Sequence, residues 1–296
     1  MPTDAPAGPA RGARRAGVAG SPVAHSLSPV LHGAAYRALG LTDWTYERLE
    51  ADAEALPGLA DSLDETWVGL SVTMPGKQAA LAHAAAATSR AVAVGAANTL
   101  VRVGTGWRAD CTDVDGVTGA LRAAAGFSGP SDTSFAVVLG AGGTACAAVA
   151  GLADLGVRTV RVVAREPARA EPVARCASKL GVAIEVTRWA DADLGALATE
   201  AAVLVNTAPA AAIEPCVPDL AAATCVLDVI YHPWPTALAE AVTARGGRLA
   251  TGLDMLLHQA FGQVEQFTGA AAPRAAMRDA LREATGGILP LPISVP

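Results

Sequence analysis

Three features of the sequence predict an α/β protein of two domains. A hydrophobic fraction of 52% against 17% charged residues over 296 positions supplies enough apolar side chains for two packed cores. In the second half, short runs rich in β-branched residues alternate with alanine-rich helical stretches, the pattern of a parallel sheet covered by helices. Phe135 to Ala145, FAVVLGAGGTA, passes directly from a buried strand through a cluster of glycines into a helix.

That last stretch contains Gly140-Ala141-Gly142-Gly143-Thr144-Ala145, a G-x-G-x-x-A pattern. The first glycine makes the turn, the second lets the backbone approach a pyrophosphate, and the small last residue packs helix on strand. The unpaired amides at the helix start can hold phosphate charge. A second strand, Thr159 to Ala164, follows after the helical Cys146 to Leu155 and a stop at Gly156. At its end stand Arg165 and Arg169, where a dinucleotide fold reads the adenosine ribose. A guanidinium suits a 2′-phosphate, so NADP(H) is expected in preference to NAD. Glu166, beside Arg165, reads as a first-turn acid before Pro167. Residues 127–251 are thus expected to form a Rossmann-like, doubly wound NADP-binding domain.

The formal charge of -6 offers no basic field for nucleic acid or an anionic membrane. Phe135 to Ala153 carries no charge over 19 residues, but its glycine cluster and strand-to-helix switch read as a buried β-turn-α unit, not a membrane span. MPTDAPAGPARGARR lacks a following apolar run and reads as a disordered tail over residues 1–15. Cys111, Cys146, Cys176, Cys216 and Cys225 are odd in number and form no C-x-x-C pair. This is reduced, cytosolic usage without a disulfide frame or zinc site. Asp110, Asp113 and Asp115 invite a metal-loop reading, but no closing Glu stands twelve positions from the first. No metal is expected.

Along the chain, Ala16 to Ala19 enters the polar turn GSPVAHSLSP. Ser28 before Pro29 fits an N-cap for a helix reaching about Leu39. Ser26 and Ser28, near helix amides, could also bind a small carboxylate; from these residues alone, capping is the simpler reading. Trp44 to Leu49 alternates as a strand, and Asp52 to Leu63 reads as a helix interrupted at Pro57-Gly58. Trp67 to Val72 is a buried strand ending at Thr73-Met74-Pro75-Gly76-Lys77, with Gln78 to Ala87 helical. Lys77 therefore sits just past a strand end, where α/β active sites lie. Val94 to Val101 carries GAANTL, and Gly126 to Ser134 reads as a domain connection.

Further strands are expected at Ala183 to Thr187, Ala202 to Asn206 and Thr224 to Val229, with a short last one at Arg248 to Ala250. Their C-terminal ends place Thr207 and Tyr231 in a ligand cleft. Gly252 to Thr268 is an amphipathic helix built on Leu253, Leu256, Leu257, Ala260, Phe261, Val264 and Phe267. Met255, Gln259 and Gln263 form a neighbouring stripe that reads as solvent-facing, although a glutamine there can reach ligand hydroxyls. Pro273 to Ala284 is a final helix and residues 287–296 a loosely held tail.

Taken together, GSPVAHSLSPVLH, SVTMPGK, GAANTL, the segment ending TDVDG, GAGGTA, DVIYHPWPT and GLDMLLHQAF resemble the shikimate dehydrogenase family, in order over nearly the whole chain. The resemblance implies an α/β substrate-binding domain from residues 16–126 plus 252–286, with the NADP domain inserted. It implies reduction of 3-dehydroshikimate to shikimate with NADPH in the cytoplasm, by a monomer or homodimer. Matching residues place Lys77 and Asp113 as the catalytic pair and Ser26 and Ser28 on the carboxylate. Substrate hydroxyls fall to Thr73, Asn98, Tyr231 and Gln259, and the cofactor to the glycine loop with Arg165, Arg169, Thr207 and Gly252. Cys111 and Ser71 stand where the family usually has Asn, and Ala164-Arg165-Glu166 replaces its N-R-T. Alternatives are a quinate/shikimate dehydrogenase preferring NAD, an aminoshikimate-pathway relative, and a non-catalytic nucleotide sensor. Retention of Lys77 and Asp113 favours an enzyme over the sensor.

Overall fold

The computed structural model describes residues 12–130 and 134–293. Most of the expected N-terminal tail lies outside them, but Arg14 and Arg15 already belong to the first strand. The first unit opens with β1 (Arg14–Gly20), α1 (Ser28–Ala38), β2 (Trp44–Glu50), α2 (Ala55–Ser62), β3 (Trp67–Val72) and α3 (Lys77–His83). It continues with β4 (Ala86–Ala87), α4 (Ser89–Val94), β5 (Thr99–Val103) and β6 (Gly106–Asp110). Its sheet has the order β2-β1-β3-β5-β6-β4. The β1 pairs with β2 and β3 are parallel, whereas β3-β5 and β5-β6 are antiparallel. Leu56, Trp67, Leu70, Leu100 and Trp107 fill one of its cores. The edge strand β2 buries little but Trp44, and the Arg15–Glu47 ion pair at 2.9 Å lies on its exposed side.

Two helices differ from the sequence expectation for local reasons. Asp52 Oδ1 accepts from the amides of Glu54 and Ala55, so the chain turns before α2 and the helix starts later. The alanine-rich stretch after Lys77 does not continue as one helix. Ala85 and Thr88 donate to the carbonyls of Trp107 and Ala109, so sheet pairing interrupts it at β4 and a second helix, capped by Thr88, follows. Alanine's helix propensity is only a few tenths of a kcal/mol per residue, and tertiary pairing overrides it.

The second unit runs through α5 (Asp113–Ala123), β7 (Ala136–Leu139), α6 (Gly143–Asp154), β8 (Thr159–Ala164), α7 (Glu171–Leu180) and β9 (Ala183–Arg188). It then passes through α8 (Leu194–Glu200), β10 (Val203–Asn206), α9 (Ala210–Ile213), α10 (Val217–Leu220), β11 (Cys225–Asp228), α11 (Ala237–Ala244) and β12 (Arg248–Thr251). Its sheet is wholly parallel in the order β12-β11-β10-β7-β8-β9, the doubly wound arrangement expected from the glycine loop. The central strands β7, β10 and β11 are buried throughout, as strands covered on both faces must be.

The long α12 (Gly252–Thr268) and α13 (Arg274–Ala284) complete the chain. Among the described residues, those up to Thr112 with Gln259–Leu291 form one compact unit, and those of Asp113–His258 with Pro292 and Ile293 form the other. The division falls at Thr112/Asp113 and within α12, whereas the sequence places it near Gly126 and Gly252. The helix α5 joins the second unit because it packs on α6, where a Cβ at Gly151 would meet Val117 at 2.7 Å. In the expected C-terminal tail, Leu291 is buried and the Pro292 carbonyl accepts from His258 Nε2 at 3.2 Å.

Candidate active site

In the first unit the turn after β3 carries the candidate lysine. Thr73 N donates to Ala19 O and Gly76 N to Thr73 O, and the chain enters α3 with Lys77 as its first residue. The Lys77 carbonyl accepts from Ala97 N at 2.9 Å, and the neighbouring Asn98 carbonyl accepts from Val72 N at 2.7 Å. The backbones bearing Lys77, Thr73 and Asn98 are thus tied together. Lys77 and Thr73 are half-buried, whereas Asn98 is buried.

Asn98 lies in a polar cluster. Its Nδ2 donates to Thr112 Oγ1 at 3.0 Å and to Gln259 Oε1 at 3.2 Å. Its Oδ1 accepts from Thr99 Oγ1 and from Thr112 N. Gln259 and Gln263 on α12 are only 6% and 1% exposed, which corrects the solvent-facing reading of that stripe. The stripe faces a polar interior, and helical periodicity alone cannot separate that from water.

Ser28 is not the cap of α1. The capping position is Leu27, with no side-chain cap, because the helix begins at Ser28 itself. Ser26 Oγ accepts instead from Ser28 N at 3.3 Å, and Arg48 donates to the Ser26 carbonyl. Ser28 is 5% exposed, and its hydroxyl faces the Tyr46 phenol. Behind it, Tyr46 OH donates to Ser71 Oγ at 2.6 Å and Ser71 Oγ donates to Gln263 Oε1 at 2.8 Å. His32 stacks on Tyr46 with ring centroids 4.0 Å apart, and its Nε2 lies 3.3 Å from Gln263 Oε1. Burial lowers the His32 pKa to about 3, against a smaller upward effect of Gln263. Burial also raises Tyr46 well above the usual phenol value. At neutral pH both are uncharged.

In the second unit the glycine loop makes a cradle. Gly140 has φ +100°, and a Cβ there would stand 2.6 Å from Thr207 Oγ1. Gly142 and Gly143 face open space, where an added Cβ would meet nothing within 4 Å, so backbone amides at the start of α6 are approachable. Thr144 lies in the first turn of α6, and Ala145 is fully buried where helix meets sheet. A cavity of about 540 Å³ is lined by Gly140, Ala141, Gly142, Arg165, Arg169 and Trp189, among others. Thr207 stands beside it and donates to the Leu139 carbonyl at 2.7 Å, bracing the turn. Glu166 pairs with Arg169 at 3.8 Å, both side chains being exposed. Trp189, just past the end of β9, is a lining residue that the sequence reading misses, although its place at a C-terminal strand end is an available signal.

Asp113, 7% exposed, is the first residue of α5. Tyr231 is half-buried, and burial raises its phenol pKa. Its loop is held by Asp228, which accepts from Asn206 Nδ2 at 2.9 Å, Thr236 Oγ1 at 2.7 Å and Ile230 N at 3.2 Å. Gly252 sits so close to Val229 and Tyr231 that any side chain would collide with the Val229 carbonyl. Among the described residues no group of three or more His, Cys, Asp or Glu is arranged to hold a metal, and no helix is long and apolar enough to cross a membrane.

The family model of the shikimate dehydrogenase substrate binding domain matches residues 18–100, and that of the shikimate 5′-dehydrogenase C-terminal domain matches residues 252–282. A shikimate dehydrogenase (NADP(+)) of Methylobacterium radiotolerans is 40% identical over 279 residues, covering 91% of this chain and 95% of that protein. The chain belongs to the shikimate dehydrogenase family. Among solved structures, the shikimate dehydrogenase of Mycobacterium tuberculosis is 53% identical with a TM-score of 0.85, over 91% of this chain and 99% of the other. That of Thermus thermophilus, in complex with NADP(H) and shikimate, is 32% identical with a TM-score of 0.75, over 92% and 99%. Family membership gives the co-linear motifs a common origin. It also agrees with the α/β architecture of both units.

Proposed function

We propose that this protein is an NADP-dependent shikimate dehydrogenase that reduces 3-dehydroshikimate to shikimate in aromatic amino-acid biosynthesis. In this reading it works in the cytoplasm as a monomer or homodimer. The observation that carries the reading is the buried cluster in which Asn98 bonds Gln259 and Thr112 next to the strand-end turn bearing Lys77. Amides and hydroxyls held this way suit a small polyhydroxylated ring. Ser26 and Ser28 at the start of α1 supply hydroxyls for its carboxylate.

The glycine cradle fits a dinucleotide, because Gly142 and Gly143 leave room for a pyrophosphate and Arg165 lines the cavity for a 2′-phosphate. When bound, NADPH supplies the hydride to the carbonyl carbon of the substrate. The Lys77 ammonium donates a proton to the oxygen as negative charge develops there, and Asp113 orients the amine. Thr73, Asn98, Tyr231 and Gln259 hold the ring hydroxyls and fix the face presented for reduction.

A quinate/shikimate dehydrogenase that prefers NAD is the second reading. Glu166 favours it, since its carboxylate already engages Arg169 and would repel a 2′-phosphate. Lys77→Ala tests the mechanism. Turnover is expected to fall by about 10²-fold or more with NADPH affinity kept, and undiminished turnover would remove Lys77 from the chemistry.

A further inference from the structure

Gln263 is bonded through its whole amide. Its Nε2 donates to the Asn98 carbonyl at 3.1 Å and to Thr99 Oγ1 at 3.1 Å. Its Oε1 accepts from Ser71 Oγ at 2.8 Å and faces His32 Nε2 at 3.3 Å. The Asn98 carbonyl can only accept, so the amide can be oriented only one way. Oε1 therefore requires donors from both Ser71 and His32, which places the His32 proton on Nε2. All four hydrogen-bonding positions of Gln263 are taken by protein groups. It has none left for a ligand.

Two arms leave this amide. One runs through Ser71 to Tyr46, whose phenol faces the Ser28 hydroxyl at the carboxylate end of the site. The other runs through Thr99 to Asn98 Oδ1, and from Asn98 Nδ2 to Gln259 Oε1, at the hydroxyl end. The links from Gln263 as far as Tyr46 and as far as Gln259 are buried or part-buried hydrogen bonds, where a lost partner costs most.

We propose that Gln263 is a positioning residue that fixes the spacing between the carboxylate-binding serine and the hydroxyl-binding amides. It thereby selects ring acids whose carboxylate and hydroxyls lie at that separation. The inference rests on the shikimate dehydrogenase reading and extends it to a residue that does not touch the substrate. Because the aligned groups hold the substrate in ground and transition states alike, their loss falls on KM and not on kcat.

The test uses the full chain with Gln263→Leu and Tyr46→Phe, assayed with shikimate and with shikimate methyl ester. Gln263→Leu is expected to raise KM for both compounds about tenfold, the effect of one lost buried hydrogen bond in the site. Its kcat stays within about threefold and KM for NADP is unchanged. Tyr46→Phe keeps the ring on His32 and cuts only the carboxylate arm. It is expected to raise KM for shikimate while leaving KM for the ester at the wild-type value. Unchanged KM in Gln263→Leu, or equal losses in kcat and in NADP binding, would overturn the proposal. If Gln263→Leu does not fold, Tyr46→Phe decides alone, and an equal effect on both compounds rejects the carboxylate arm. A wild-type chain inactive on shikimate would instead reject the functional reading, which separates the two failures.

Discussion

Lowering the pH from 7 to 5 is expected to cost the folded protein about 2 kcal/mol through a single side chain, His32. In the unfolded chain this imidazole titrates at its ordinary value of 6.5, and in the folded protein burial lowers it to about 3. Between those values the unfolded state binds the proton and the folded state does not. The contribution is therefore complete above pH 6.5 and is lost as the pH falls toward 3. At pH 5 the unfolded state gains about 1.5 pH units of protonation free energy, which at about 1.4 kcal/mol per unit gives the figure above. His32→Phe keeps an aromatic ring against Tyr46 and Phe267 and removes the titration. Urea unfolding of both proteins across pH 5–7 gives the difference, in which other titrating groups cancel. The wild type should lose about 2 kcal/mol more than the variant over that range. Parallel pH profiles would refute the claim that His32 is held neutral.

Arg165→Ala is expected to raise KM for NADP by about 10- to 100-fold and to leave KM for NAD within a few-fold, as initial rates with each dinucleotide will show. Asp110 is buried on Arg90 at 2.6 Å. Burial alone would raise its pKa, but Arg90, Thr88 and the Cys111 amide together bring it down to about 2. Its stabilisation, about 2 kcal/mol, is present above about pH 4 and is lost as the pH falls toward 2. Asp110→Asn should therefore melt earlier at pH 7 and converge on the wild type near pH 2, and a constant difference across that range would count against the ion pair.

The second unit is legible in the sequence because its signals are local. Gly140 to Ala145 needs its glycines for a turn and an approach within six consecutive residues, and the central strands β7, β10 and β11 announce themselves by runs of apolar residues. The proposed catalytic residues Lys77 and Asp113 can be placed only through their motifs, since a lysine or aspartate at a helix start has no periodicity of its own. Ser28 reads as a cap because Ser-Pro fits one locally, whereas the helix begins one residue earlier than that reading requires. Gln263 is hidden for the opposite reason. Its partner His32 lies 231 residues away and Ser71 192 residues away, so nothing near Gln263 in sequence marks it as buried. The stretch after Lys77 reads as one helix because the pairing of Ala86 with Arg108 that interrupts it is equally non-local.

The most direct measurement is the initial rate of nicotinamide reduction by the purified protein, with shikimate or quinate crossed against NADP or NAD. A rate carried chiefly by shikimate with NADP is the expected result, and it supports the serine pair and Arg165 together. A faster rate with quinate and NAD, or no rate with any pair in folded protein that binds NADPH, would contradict the assignment.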